Sequence, residues 1–105
     1  KKIMKDHHLK SLSQVIKDLK RQGYEADFMY RDGKLEDMES GKSYPANQLT
    51  ILDEFRFEGQ TNPDDMSILY ALKTSGGTKG TISTPYGPNA NVDLDQFLEG
   101  ASRMA

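Results

Sequence analysis

The segment SLSQVIKDLKRQGYEADFMYRDGKLEDM, residues 11–38, decides the fold, because a helix pattern passes directly into a hairpin pattern. The apolar residues of its first half recur at the spacing of one helix face: Leu12, Val15, Ile16 and Leu19. This spacing predicts an amphipathic helix from Leu12 to Gln22. Ser11 and Gln14 fit a capping box at its start, and Gly23 fits a left-handed residue just past its end.

The second half of the segment predicts a β-hairpin. The pair Asp32-Gly33 is typical of a two-residue type I′ turn between strands. With that turn, Arg31 pairs with Lys34 and Tyr30 pairs with Leu35. One face of the hairpin is then apolar and the other is largely exposed to water.

Three further strands and a short helix are predicted after the hairpin. The strands are residues 50–58, 66–73 and 79–84, separated by loops rich in turn-forming residues. Strict alternation in the first of them places Ile51, Asp53, Phe55 and Phe57 on one face and the residues between them on the other. The final helix is capped by Asp93 and carries apolar residues toward the core: Leu94, Phe97, Leu98 and Ala101.

This order of elements predicts an α+β fold. Consecutive strands joined by turns favour a mainly antiparallel sheet of about five strands, with both helices on one face in a two-layer sandwich. We expect residues 1–10 to form a flexible N-terminal lead-in, residues 11–101 to form a single α+β domain, and residues 102–105 to fray.

Composition excludes several classes of protein and site. The chain has 105 residues, no cysteine and a net charge of -2 from 14 basic and 16 acidic residues. Disulfides and thiolate metal sites are therefore excluded, and no overall positive field exists to attract nucleic acid. No stretch reaches the roughly 18 apolar residues of a membrane span. The sequence predicts a soluble, cytoplasmic protein that binds neither nucleic acid nor membranes.

One acidic turn and one glycine-rich loop are the candidate ligand-binding segments. The turn EGQTNPDD contributes Glu58, Asn62, Asp64 and Asp65, whose oxygens could bind Mg²⁺ or a phosphate-bound cation. The loop TSGGTKGT contributes Lys79, but it does not match a P-loop. The favoured interpretation is that the acids face solvent or reverse the chain, and we expect no metal site and no cofactor.

The sequence offers little for nucleophilic catalysis. Its two histidines, His7 and His8, are adjacent and near the N-terminus, so they cannot both point into one site on a strand. Asp53 is the one acid that alternation places among the aromatic residues of its strand. We expect it to lie at the sheet edge in water, because an unpaired buried carboxylate is costly.

The arrangement LKSLSQVIKDLKRQGYEADF, then ILDEFRFEGQTNPDDMSILYAL and KGTISTPYG, resembles a family of small bacterial proteins common in Bacteroidetes. Members are often labelled phosphoribosylpyrophosphate synthetase-like. The resemblance covers roughly residues 10–100 and is most specific at RFEG and NPDD. It implies a small stand-alone domain of unknown role. Genuine phosphoribosylpyrophosphate synthetases are much longer and two-lobed, so the label implies no activity and no catalytic residues.

The function predicted from the sequence is a non-enzymatic binding or regulatory module. Its partner would be an unknown protein or small molecule, or a second copy in a homodimer. The candidate interaction surface is the exposed strand face bearing Leu52, Glu54 and Arg56. The alternative is a small Mg²⁺-dependent enzyme or a phosphate- or nucleotide-binding protein that uses the acidic turn together with Lys79.

Overall fold

The structure is a computed structural model that describes residues 11–57, 67–85 and 92–103. Within these residues the chain forms two helices, α1 (Leu12–Arg21) and α2 (Val92–Glu99). It also forms seven strands: β1 (Ala26–Arg31), β2 (Lys34–Asp37), β3 (Ser43–Tyr44), β4 (Leu49–Phe57), β5 (Ser67–Thr74), β6 (Lys79–Pro85) and β7 (Ser102–Arg103). A short 3₁₀ turn, Ala46–Gln48, precedes β4. The predicted lead-in, residues 1–10, lies outside the described residues.

The strands form one mixed sheet in the order β3-β2-β1-β6-β5-β4-β7. Four pairings are antiparallel, whereas β1 with β6 and β4 with β7 are parallel. The α+β class and the mainly antiparallel character are confirmed, but the prediction of about five strands is corrected to seven. The two additional strands are the two-residue β3 and β7, and β7 occupies the start of the segment that was expected to fray.

Local signals fix both ends of α1 as the sequence predicts. The Ser11 hydroxyl accepts from the Gln14 amide at 3.2 Å, and the Gln14 side chain accepts from the Ser11 amide at 3.1 Å. At the other end Gly23 has φ 103°, and the amides of Gly23 and Tyr24 donate back to Lys20 and Leu19. This is a Schellman motif, which satisfies the last carbonyl groups of the helix.

The predicted hairpin is also confirmed. Arg31 pairs with Lys34 and Tyr30 with Leu35. Asp32 and Gly33 both have positive φ, 52° and 79°, as a type I′ turn requires. Aspartate tolerates this conformation better than most residues with a β-carbon, and glycine adopts it without strain.

A β-bulge in β4 corrects one part of the predicted alternation, because Ile51 does not share a face with Phe55 and Phe57. Ile51 pairs with Leu72, but the next pair joins Asp53 to Ala71, so Leu52 is an extra residue in the ladder. Ile51 therefore packs in one hydrophobic cluster, whereas Phe55 packs in the other, on the opposite face. Asp53 is exposed, in agreement with the expectation that it lies in water.

The two helices lie on opposite faces of the sheet, so the predicted two-layer arrangement is wrong in this respect. Leu94 and Leu98 of α2 pack with the β5 residues Ile68, Tyr70 and Leu72. On the other face, α1 contributes Val15 and Leu19 to a second cluster that contains Phe55, Leu69 and Ala71. Successive side chains of β5 point to opposite faces, so this strand is covered by a helix on each side.

Candidate functional site

A cleft opens where the neighbouring parallel strands β1 and β6 separate. Among the described residues only two pairs join them, Ala26 with Gly80 and Asp27 with Thr81, although β1 continues to Arg31 and β6 to Pro85. Beyond these pairs, each strand remains with its own antiparallel partner. β1 follows β2 to the hairpin turn, and β6 follows β5 as far as Pro85. The gap between the two C-terminal halves is a cleft of about 450 Å³.

The cleft walls come from both faces of the sheet, because the opening lies between strands. On the α1 side the lining residues are Ile16, Asp27, Met29, Leu69, Thr81, Ser83 and Pro85. On the α2 side they are Phe28, Tyr30, Ile82, Thr84 and Leu94. The α2 side is thus largely apolar and aromatic, whereas the α1 side carries a carboxylate and two hydroxyl groups. Mostly apolar walls with a few polar groups are typical of ligand-binding sites.

The backbone of β1 presents hydrogen-bonding groups to the cleft. The Met38 amide donates to the Asp27 carbonyl at 2.9 Å, on the β2 side of the strand. Bonding positions alternate along an antiparallel ladder, so Asp27, Met29 and Arg31 bond toward β2. Tyr30 therefore points its amide and carbonyl groups toward β6, beyond the point where the parallel ladder ends.

The backbone of β6 also presents hydrogen-bonding groups to the cleft, from the opposite wall. At the β5–β6 turn the Thr74 amide donates to the Thr78 carbonyl at 2.8 Å. The register continues without a shift, so Gly80, Ile82 and Thr84 are the positions that bond to β5. Ser83 turns its amide and carbonyl groups toward β1. Tyr30 and Ser83 thus offer two donors and two acceptors to a ligand between the strands.

Asp27 brings a negative charge to the rim of the cleft. Its carboxylate lies 3.2 Å from the Lys20 ammonium, and 63% of its side chain is exposed. An ion pair this exposed contributes little to stability, because water and salt screen it. Asp27 is therefore accessible to a cationic group of a ligand that displaces Lys20.

A second feature, toward the β7 edge of the sheet, is the ion-pair cluster around the β4 bulge. Glu54 lies 3.1 Å from Arg103 of β7 and 3.6 Å from Arg56. Burial, followed by the charges of Glu54 and Asp95, raises the pKa of Tyr70 against the opposing effect of the arginines. A small depression of about 210 Å³ lies beside the bulge. The predicted interaction residues Glu54 and Arg56 thus belong to an ion-pair cluster beside the buried Tyr70. The third predicted interaction residue, Leu52, is the bulge residue.

Of the predicted ligand-binding residues, Glu58, Asn62, Asp64 and Asp65 lie outside the described residues. Lys79 lies at the turn end of β6, where its ammonium group is 5.0 Å from the centre of the Tyr24 ring. The described residues that bound the acidic segment, Phe57 and Ser67, lie at the opposite end of the sheet, since Ser67 pairs with Pro85. Six residues of β6 separate Lys79 from that end, a distance of roughly 20 Å.

The described part of the chain contains no group of three or more histidine, aspartate or glutamate side chains able to hold a metal ion. It also contains no helix with the length and apolar character needed to cross a membrane. The sequence matches no family model, no curated protein and no solved structure.

Sequence reasoning missed the cleft, although one signal for it was present. Gly80 is an isolated glycine within a strand pattern, and such a glycine often marks a close approach of two backbones. Here the approaching backbone is that of Ala26, directly before the strands separate. The identity of that neighbour could not be inferred, because the two residues are far apart in the chain.

Proposed function

We propose that the protein is a non-enzymatic binding module whose ligand occupies the cleft between β1 and β6. The observation that supports this most directly is the separation of two adjacent parallel strands at their C-terminal ends. In open α/β sheets, ligands bind in the crevice outside the carboxyl ends of the parallel strands. The cleft lies at the carboxyl ends of β1 and β6, a parallel pair within a mainly antiparallel sheet, and so occupies a comparable position.

The chemistry of the walls supports recognition rather than bond cleavage. Met29 is exposed and Tyr30 is partly exposed, so both offer apolar contact, and the exposed Ser83 hydroxyl offers a hydrogen bond. Apolar area provides most of the affinity at such a site, while a few polar groups fix the orientation of the ligand. A ligand with an apolar side and a hydrogen-bonding side would fit this lining.

The test is a fragment screen monitored by amide chemical shifts in ¹⁵N-labelled protein. We expect small aromatic amides to bind in the cleft and to shift the amide signals of Met29, Tyr30 and Ser83 together. The variant Ser83→Phe places a ring at the cleft wall and should abolish these shifts. Ser43→Phe is the matched control, because it makes the same change at an exposed position of β3, away from the cleft lining. Fragment binding that Ser83→Phe leaves unaffected would refute the proposal.

A second experiment tests whether phosphate or Mg²⁺ binds to the protein. Inorganic phosphate, ribose 5-phosphate and MgCl₂ are added separately, and the melting temperature is followed. A specific ligand at 100 times its Kd adds about 2.7 kcal/mol to the free energy of unfolding, which is readily measured. These probes would favour the alternative site predicted from the sequence if they raised the melting temperature and changed the amide chemical shift of Lys79 but not those of the cleft residues.

A further inference from the structure

We infer that the ligand of the cleft is an extended peptide segment of a partner protein, bound through its main chain between β1 and β6. This inference rests on the proposed function and specifies its ligand. The observation behind it is the arrangement of the free backbone groups. A strand's main chain presents alternating amide and carbonyl groups on both of its edges, and the two cleft walls present the complementary groups.

Both walls are strand edges whose hydrogen-bonding groups have no partner in the ladders of the sheet. Tyr30 faces the cleft from β1, and Ser83 faces it from β6. Exposed edges of this kind recruit an additional strand. Because the two edges flank one opening, a single inserted segment would hydrogen-bond to the backbone groups of both edges. A compact apolar ligand would leave those backbone groups unpaired.

The two sides of the cleft define the side chains that such a peptide would carry. Successive side chains of a strand point to opposite faces of the sheet. On the α2 side the segment would meet the partly exposed ring of Tyr30, beside the buried Phe28 and Ile82, which favours an apolar side chain. On the α1 side it would meet the Asp27 carboxylate and the Ser83 hydroxyl, which favour a basic or hydroxyl-bearing side chain. The recognised pattern is therefore apolar and basic residues in alternation.

The length of the recognised segment follows from the lengths of the open edges. Each wall runs for four residues beyond the last ladder pair, to Arg31 on β1 and to Pro85 on β6. At the rise of a β-strand this is about 13 Å, which matches about four residues of an extended peptide. A six-residue peptide therefore contains the whole contact with one residue to spare at each end.

The experiment is selection from a random hexapeptide display library on the full chain, followed by titration of the selected peptides into ¹⁵N-labelled protein. We expect the selected sequences to alternate apolar and basic residues and to shift the amide signals of Tyr30 and Ser83. Each peptide is then synthesised with single N-methyl groups along its main chain. Methylation at a central amide should weaken binding about tenfold, whereas methylation of the terminal amide should have no effect.

A protein variant tests independently whether the peptide hydrogen-bonds to the main chain of the cleft. Ser83→Pro removes the amide that faces the cleft, at a position that does not bond to β5, and should weaken peptide binding. Ser83→Ala keeps the amide and removes only the hydroxyl, so it should weaken binding less than Ser83→Pro does. Equal binding by central and terminal N-methyl peptides would refute main-chain pairing. Failure to select cleft-binding peptides would also refute it, and fragments that still bound there would leave the proposed function standing.

Discussion

At the scale of single residues, Gly80 determines where β1 and β6 can meet. A β-carbon at this position would lie 2.7 Å from the β-carbon of Ala26 and still closer to the Ala26 backbone. The reason for glycine is therefore close approach, because the residue does not have a positive φ. Gly80 lies in the first of the two pairs that join the strands, immediately before the cleft.

Replacing this glycine should destabilise the protein strongly. We expect Gly80→Ala to lower the free energy of unfolding by about 3 kcal/mol, at the upper end of the range for overpacking, because backbone rather than a flexible side chain must move. Gly76→Ala is the control, since its nearest neighbour would be the Thr74 hydroxyl at 3.8 Å. Urea denaturation measures both. Equal stability of the two variants would contradict the close approach of β1 and β6.

Tyr70 makes stability sensitive to alkaline pH. Burial, together with nearby negative charges, raises the pKa of Tyr70 above its ordinary value of 10.0. Above about pH 10 the unfolded chain releases the tyrosine proton while the folded chain retains it, so the folded state loses relative stability as pH rises. Tyr24, whose pKa is also raised by burial and then by Asp53, acts in the same direction.

We expect Tyr70→Phe to reduce this dependence. The free energy of unfolding of the wild-type protein should fall between about pH 9 and pH 11, and the variant should show a smaller fall. Ile82→Val is a matched control, because Ile82 pairs with Tyr70 across β5 and β6 and the change removes no titratable group. Urea denaturation across this pH range tests the effect. An identical slope for Tyr70→Phe and the control would show that Tyr70 does not contribute.

At the scale of elements, the bulge in β4 decides which cluster each aromatic residue joins. Without Leu52, the alternation of β4 against β5 would be regular from Ile51 to Phe57. With it, Ile51 faces α2 while Phe55 and Phe57 face α1. The sequence contains no local signal for this extra residue, because every residue around it is compatible with a regular strand. The prediction that Ile51 shares a face with Phe55 and Phe57 was therefore wrong.

The bulge predicts an unusual tolerance of β4 to shortening. Deletion of Leu52 should leave every ladder pair in place and lower the free energy of unfolding by only about 1 kcal/mol. Deletion of Ala71 from β5 is the control. It would move Leu72 and Lys73 to the wrong faces of a strand that is paired on both sides, and we expect no folded protein. Circular dichroism and urea denaturation distinguish the outcomes, and unfolding by both deletions would refute this account of the bulge.

Elements with local signals could be predicted, and those that depend on distant partners could not. The capping box of α1, its terminal Gly23 and the Asp32-Gly33 turn all follow from residues that are neighbours in the chain. Strands β3 and β7 have two residues each and exist only because longer strands lie beside them. The cleft also depends on distant partners, since it arises between strands about fifty residues apart.

At the scale of the whole molecule, the interior strand β5 has a helix on each face. Its sequence, SILYALKT, is a nearly continuous apolar run, which is typical of a strand buried on both sides. In a regular strand Ile68, Tyr70 and Leu72 share one face, whereas Leu69 and Ala71 point to the other. Both are fully buried beneath α1. This run was the signal that a two-layer sandwich does not fit.

The separation of the two clusters predicts that their contributions to stability are independent. Val15→Ala should cost about 2 kcal/mol under α1, and Leu98→Ala about 3 kcal/mol under α2, because both side chains are buried. The sheet lies between them, and they share no cluster. The double variant should therefore lose the sum of the two values to within about 0.5 kcal/mol.

Urea denaturation in trimethylamine oxide, which favours the folded state, keeps the double variant measurable. The positive control is the pair Val15→Ala and Leu69→Ala, whose side chains belong to one cluster, and a coupling energy is expected there. A coupling energy of comparable size between Val15 and Leu98 would mean that the helices share a core. The two-layer arrangement expected from the sequence would then be the better description.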